Sequence, residues 1–152
     1  MKHLPIFLLA AALLALTGCD SVSTRVHERF SGPVYQVKIV NVDQHKAYEV
    51  ARIALTKMDF NFEHGGPAQG IIHAIGPLHP SPSAPGTARQ LWFDAKLSPA
   101  LEGGTKIEVL FSEMVEEDFN KRPGQGTLTP LRDSSVYEAY FQYIDEILTA
   151  KP

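Results

Sequence analysis

The sequence predicts an α+β domain in two layers, an antiparallel sheet of about five strands with two helices packed on one face. Three observations predict it. Residues 44–58 and 135–148 carry apolar side chains at helical spacing. The segments at 34–40, 60–63, 70–75, 88–98 and 105–115 are apolar or alternate with a period of two, and turn-forming residues separate most of them. The resulting order is strand, helix, four strands, helix, which suits an antiparallel sheet with helices on one side.

Val34 to Val40 alternates, with Tyr35, Val37 and Ile39 on one side and Gln36 and Lys38 on the other, and reads as a strand. Asp43 is placed to cap the helix that follows, whose stripe is Ala47, Val50, Ala51, Ala54, Leu55 and Met58. Phe60 and Phe62 alternate with polar neighbours in a second strand. His64-Gly65-Gly66-Pro67 then reads as a turn, and Gly70 to Ile75 as a third strand paired back in a hairpin. Gly76 to Thr87, with four prolines, reads as a loop.

From Ala88 to Ser98 the alternation is strongest. Leu91, Phe93, Ala95 and Leu97 face one way; Gln90, Trp92, Asp94 and Lys96 face the other. After a hairpin loop at 99–104, Thr105 to Val115 is the last long strand, with Ile107, Val109 and Phe111 inward. Met114 breaks that alternation and suggests a bulge near Ser112-Glu113. Glu117 to Arg132 reads as a polar loop. Ser135 and Glu138 form a capping box for the final helix, whose stripe runs through Val136, Tyr140, Phe141, Tyr143, Ile144, Ile147 and Leu148.

The chain divides into residues 1–18, 19–33 and 34–150. The first part has Lys2 and His3, then 13 residues from Leu4 to Leu16 that are nearly all apolar, then Leu16-Thr17-Gly18-Cys19. A membrane-spanning helix needs about 20 apolar residues, so this run is short for one. The pattern resembles a bacterial lipoprotein signal peptide, and the four residues match its lipobox. The resemblance implies cleavage between Gly18 and Cys19, and a diacylglyceryl modification with a further acyl chain such as palmitate on Cys19. It places the protein in the cell envelope, on the periplasmic side of a membrane. Asp20 resembles an inner-membrane retention signal of enteric bacteria. Cys19 is the only cysteine, so the domain behind it has no disulfide to rest on.

Residues 20–33 show no sustained period and read as a tether, reaching at most about 46 Å extended and roughly 20 Å as a coil. From Cys19 onward the chain holds 13 basic and 17 acidic side chains, a formal charge of −4. That balance argues against nucleic acid as a partner and against adhesion to anionic lipid through a basic patch.

The domain from Val34 to Leu148 resembles the small helix-grip modules of bacterial envelope lipoproteins, the BamC-like domains of outer-membrane assembly. The resemblance rests on element order, on the strand start Gly70-Ile71-Ile72, and on Leu97-Ser98-Pro99 through Gly103-Gly104-Thr105-Lys106-Ile107. The Pro-rich loop and the single copy of the domain depart from that pattern. The resemblance implies a non-catalytic accessory module.

Chemistry is sparse. His27, His45, His64, His73 and His79 include no helical i, i+4 pair, and no cysteine remains to complete a zinc set. His64, His73, His79 and Glu63 come near one another around one hairpin and read as rim residues, so no metal or cofactor is expected. Glu113, Glu116, Glu117 and Asp118 read as a solvated rim without EF-hand spacing. Gly65-Gly66 is followed by Pro67, which lacks the N–H a phosphate nest uses. No nucleophile elbow occurs, and Ser134 and Ser135 read as helix caps, so no enzymatic activity is expected.

Trp92 stands out. Alternation places it opposite the core-facing residues of its strand, with Leu110 and Met114 on the corresponding face of the next. It is either a binding hot spot, where tryptophan is enriched, or a second core covered by a loop or by the N-terminal segment. The segment His79 to Pro85 is either a recognition segment or an inert connection. The expected function is therefore a membrane-anchored protein-interaction module with an envelope protein as partner. The alternative is a binder of a small apolar ligand held between the sheet and the aromatic C-terminal helix.

Overall fold

Gln36–Val40 forms the first strand, β1, and the helix α1, Gln44–Lys57, follows it. The computed structural model of the chain describes residues 34–80, 84–116 and 126–150. The expectations for residues 1–33, Cys19 included, lie outside the described residues. Asp43 caps α1 by accepting the Lys46 N–H at 2.9 Å. That bond holds the exposed Asp43 carboxyl below the usual carboxylate range.

Four strands come next: β2 (Asn61–Gly66), β3 (Ile71–Pro80), β4 (Ala88–Pro99) and β5 (Thr105–Glu116). A short β6 (Gly126–Pro130) precedes the helix α2, Ser135–Thr149. The domain is α+β: one antiparallel sheet in the order β1-β5-β4-β3-β2, with two helices packed on one face. Both β1 and β6 pair with β5, on its first and second halves respectively.

Register explains which side chains meet. Ala74, Phe93 and Phe111 are cross-strand neighbours, as are Ile72, Ala95 and Val109. All six are buried on the helix face together with Leu97 and Ile107. Against them pack Ala47, Val50, Ala51, Ala54 and Leu55 of α1 and Tyr137, Tyr140 and Ile144 of α2. The alanines of α1 carry almost no side chain, so this helix can lie close to its neighbours. Aromatic rings fill the centre. Phe111 meets Phe93, Tyr137 and Tyr140 with centroids 5.0, 5.1 and 5.9 Å away, at edge-on angles that suit the ring quadrupoles.

Several local expectations are corrected. The sheet has six strands, because part of the expected polar loop 117–132 is β6. Its Thr127-Leu128-Thr129 suits a strand, but all five residues are exposed, so no burial pattern marks it. The expected loop from Gly76 begins instead as the second half of β3. Beyond Ile75 only β4 pairs with that half, so prolines 77 and 80 break no ladder on the β2 side. His64, Gly65 and Gly66 belong to β2, and the turn comes after them.

The suspected bulge at Ser112-Glu113 is absent, since β4 and β5 stay in continuous register from Ala88↔Glu116 to Pro99↔Thr105. Two irregularities occur elsewhere. One inserts Glu63 into β2, and the other lies at Gly76-Pro77 in β3, stapled by Gln90 Nε2 donating to the Gly76 carbonyl at 2.9 Å. The cap of α2 is Ser134, one residue before the expected Ser135. In β1 it is Gln36 and Lys38 that share the helix face, with Lys38 Nζ 2.8 Å from Asp145 of α2. Val37 and Ile39 are 53 and 59% exposed on the opposite face.

Gly104 closes the β4–β5 hairpin at φ +80°, where a Cβ would collide with the Val40 carbonyl. Glycine is required there by both conformation and space.

One pH response follows from the core. Burial pushes the Tyr140 hydroxyl up, and burial also raises Tyr137. A raised folded pKa leaves stability complete below the unfolded value near 10 and erodes it above, for the fully buried Tyr140 by up to about 1.4 kcal/mol per pH unit. Thermal melts should therefore fall as pH rises past about 10, and Tyr140→Phe should shift that fall to higher pH. A midpoint unchanged in Tyr140→Phe would show that its hydroxyl does not limit the folded state in base.

Candidate functional site

The face of the sheet opposite the helices carries the second set of alternating side chains. Along β4 these are Gln90, Trp92, Asp94 and Lys96; along β5, Leu110, Ser112 and Met114; along β3, His73 and Ile75. Trp92 is 38% exposed, as its place in the alternation predicts. Leu110 and Met114 share its face, but Leu110 is only 6% exposed and Met114 is half-buried.

Beside Trp92 lies a cavity of about 400 Å³. Trp92, Ile75 and Leu128 supply apolar wall, and Glu63, His64, His73 and Asp94 supply the polar part. Leu110 and Met114 do not line it. Register accounts for the polar part. His64 pairs with His73 and His73 with Asp94, so the three stand in one row across β2, β3 and β4. The two imidazoles stack, with centroids 4.1 Å apart and planes 18° from parallel. His73 Nδ1 is hydrogen-bonded to Asp94 Oδ1. That contact orients the His73 ring and occupies one acceptor position of the carboxylate. The bulge in β2 adds Glu63 beside His64, a common use of bulges at site rims.

The sequence places Glu63, His64 and His73 near one hairpin, and the structure brings them together. His79, expected among them, lies further along β3 opposite Arg89 and outside the cavity lining. Asp94, Ile75 and Leu128 are additions that sequence reasoning missed as site residues. The alternation that puts Asp94 on the face of Trp92 was the one available signal. Among the described residues no three His, Cys, Asp or Glu side chains are arranged to hold a metal ion.

The acidic cluster divides. Glu113 is 3.3 Å from Arg89 across the β4–β5 pair, Glu116 ends β5, and residues 117 and 118 lie outside the described residues. Ser134 caps α2 by accepting the Val136 N–H, while Ser135 begins that helix.

Between the sheet and α2, Tyr137 and Tyr140 are buried against Phe93 and Phe111. The Tyr137 hydroxyl accepts the Phe111 N–H at 2.9 Å and donates to the Leu131 carbonyl at 2.7 Å. These rings occupy the sheet–helix interface in which an apolar ligand was expected under the alternative reading. The cavity with an apolar wall is instead on the open face, at Trp92. Compared with known proteins, the chain matches no family model, no curated protein and no solved structure.

Proposed function

We propose that this protein is a lipid-anchored envelope lipoprotein whose open sheet face, centred on Trp92, binds a protein partner without catalysis. The observation that carries the reading is Trp92 itself, 38% exposed on the face turned away from both helices and beside a cavity with an apolar wall. Fully burying a large apolar side chain is worth about 1.5–3 kcal/mol, so a partner that covers the exposed part of Trp92 gains a fraction of that. Leu110 and Met114 stand on the same face, on β5 beside Ser112, which pairs with Trp92. The lipobox ending at Cys19 and the acidic chain behind it support a membrane anchor made of lipid alone. The domain would then work within the reach of its tether from the bilayer.

Trp92→Ala tests the reading. The variant should keep its melting temperature within a few degrees, because no described helix packs on that face, and should weaken association with an envelope partner. Co-purification from the native envelope checks this, with Ile53→Ala on α1 as the comparator. A variant that loses stability and retains its partner would make Trp92 an ordinary packing residue.

A further inference from the structure

Among the described residues, four aromatic rings carry a cation of the chain's own. Lys38 lies 5.7 Å from the Phe141 centroid, Arg52 4.3 Å from Phe62, Lys57 5.4 Å from Tyr143 and Lys96 4.9 Å from Tyr35. Trp92 offers the strongest such platform, and no cation of the described residues lies over it. Its cavity nevertheless holds two carboxylates. Asp94 uses one acceptor position on His73 and has others left. Glu63 makes no ion pair among the described residues.

We propose that the cavity receives the guanidinium of an arginine presented by the protein partner, stacked on Trp92 and paired with Glu63 and Asp94. This rests on the reading of the open face as the partner surface and names the chemistry that the partner brings. The cavity, about 400 Å³, is near the small end of ligand pockets and has room for one arginine side chain. Ile75 and Leu128 offer apolar wall to the methylenes of an arginine stem. A planar fork that stacks and pairs at once distinguishes arginine from lysine here. An anion would face two carboxylates, and an uncharged apolar group would cover them without pairing.

The test uses the full chain at low ionic strength, with N-acetyl-arginine amide as the probe and N-acetyl-citrulline amide as its uncharged match. Trp92 is the only tryptophan, so its indole N–H resonance and its emission report on the cavity directly. The proposal predicts a saturable indole shift with the arginine probe and at least roughly fivefold weaker binding of the citrulline probe. Glu63→Gln and Asp94→Asn should each weaken the arginine probe roughly three- to tenfold. Equal binding of the two probes, or no shift with arginine, overturns it. Partner co-purification with Trp92→Ala separates the two levels. A lost partner with no arginine binding removes the guanidinium and keeps the face. Arginine binding with the partner fully retained removes the face as the partner surface, and the partner's arginine with it.

Discussion

Phe111→Ala is expected to cost about 3–5 kcal/mol of folding stability, read as a fall in the urea midpoint with the slope unchanged. Phe111 is fully buried at the centre of the sheet and meets Phe60, Phe93, Tyr137 and Tyr140. Removing it leaves a cavity among rigid rings that cannot close in. A domain holds about 5–15 kcal/mol in all, so the variant should be close to unfolding at moderate temperature. The Phe111 N–H also donates to the Tyr137 hydroxyl, which in turn donates to Leu131 beyond β6. Tyr137→Phe keeps the ring and deletes that link, and should cost about 1–3 kcal/mol. A loss below about 1 kcal/mol for Phe111→Ala would mean that the centre repacks, contrary to the close packing expected of such a core.

Cys19→Ser is expected to move the protein from the membrane fraction to another compartment or leave it unprocessed. On the proposed lipid anchor the effect is close to all-or-none, because multiple acyl chains anchor stably. From Cys19 onward the formal charge is −4, which argues against a basic patch that would hold it to anionic lipid instead. No helix of the described residues is long and apolar enough to span a bilayer. Fractionation and mass analysis of the processed N-terminus check the expectation. A serine variant that remains membrane-bound and uncleaved would show that the run from Leu4 to Leu16 is an anchor in its own right.

The parts of the fold legible in the sequence are those whose two faces meet different surroundings. In β4 the alternation of Leu91, Phe93, Ala95 and Leu97 with Gln90, Trp92, Asp94 and Lys96 separates the helix face from the opposite one, and the structure keeps that division, with Phe93, Ala95 and Leu97 buried and Trp92 and Lys96 exposed. The stripe of α1 and its Asp43 cap are legible for the same reason. Thr127-Leu128-Thr129 in β6 has every side chain exposed, so nothing in the pattern marks it as paired.

Met114 looked like a break in alternation because an apolar residue stood on the polar side. It belongs to the apolar set of the open face, and the register runs through it unbroken. The real irregularities, at Glu63 and at Gly76-Pro77, lie close to turn-forming glycines and prolines; the first fell at the end of an expected strand and the second in an expected loop. The row of His64, His73 and Asp94 exists only through cross-strand register. Three residues from three strands become neighbours when two hairpins pair in one particular alignment, which local periodicity does not specify.

The central claim is that the partner meets the open sheet face at Trp92. The most direct measurement places a photo-crosslinking residue at position 92 and, in a second chain, at Ile53 on the exposed side of α1, and irradiates cells that carry each. Ile53 is an apolar residue 47% exposed, so it controls for stickiness alone. One discrete envelope protein joined through position 92 and absent from position 53 is the result expected. The same adduct from both positions, or an adduct from position 53 alone, would contradict it.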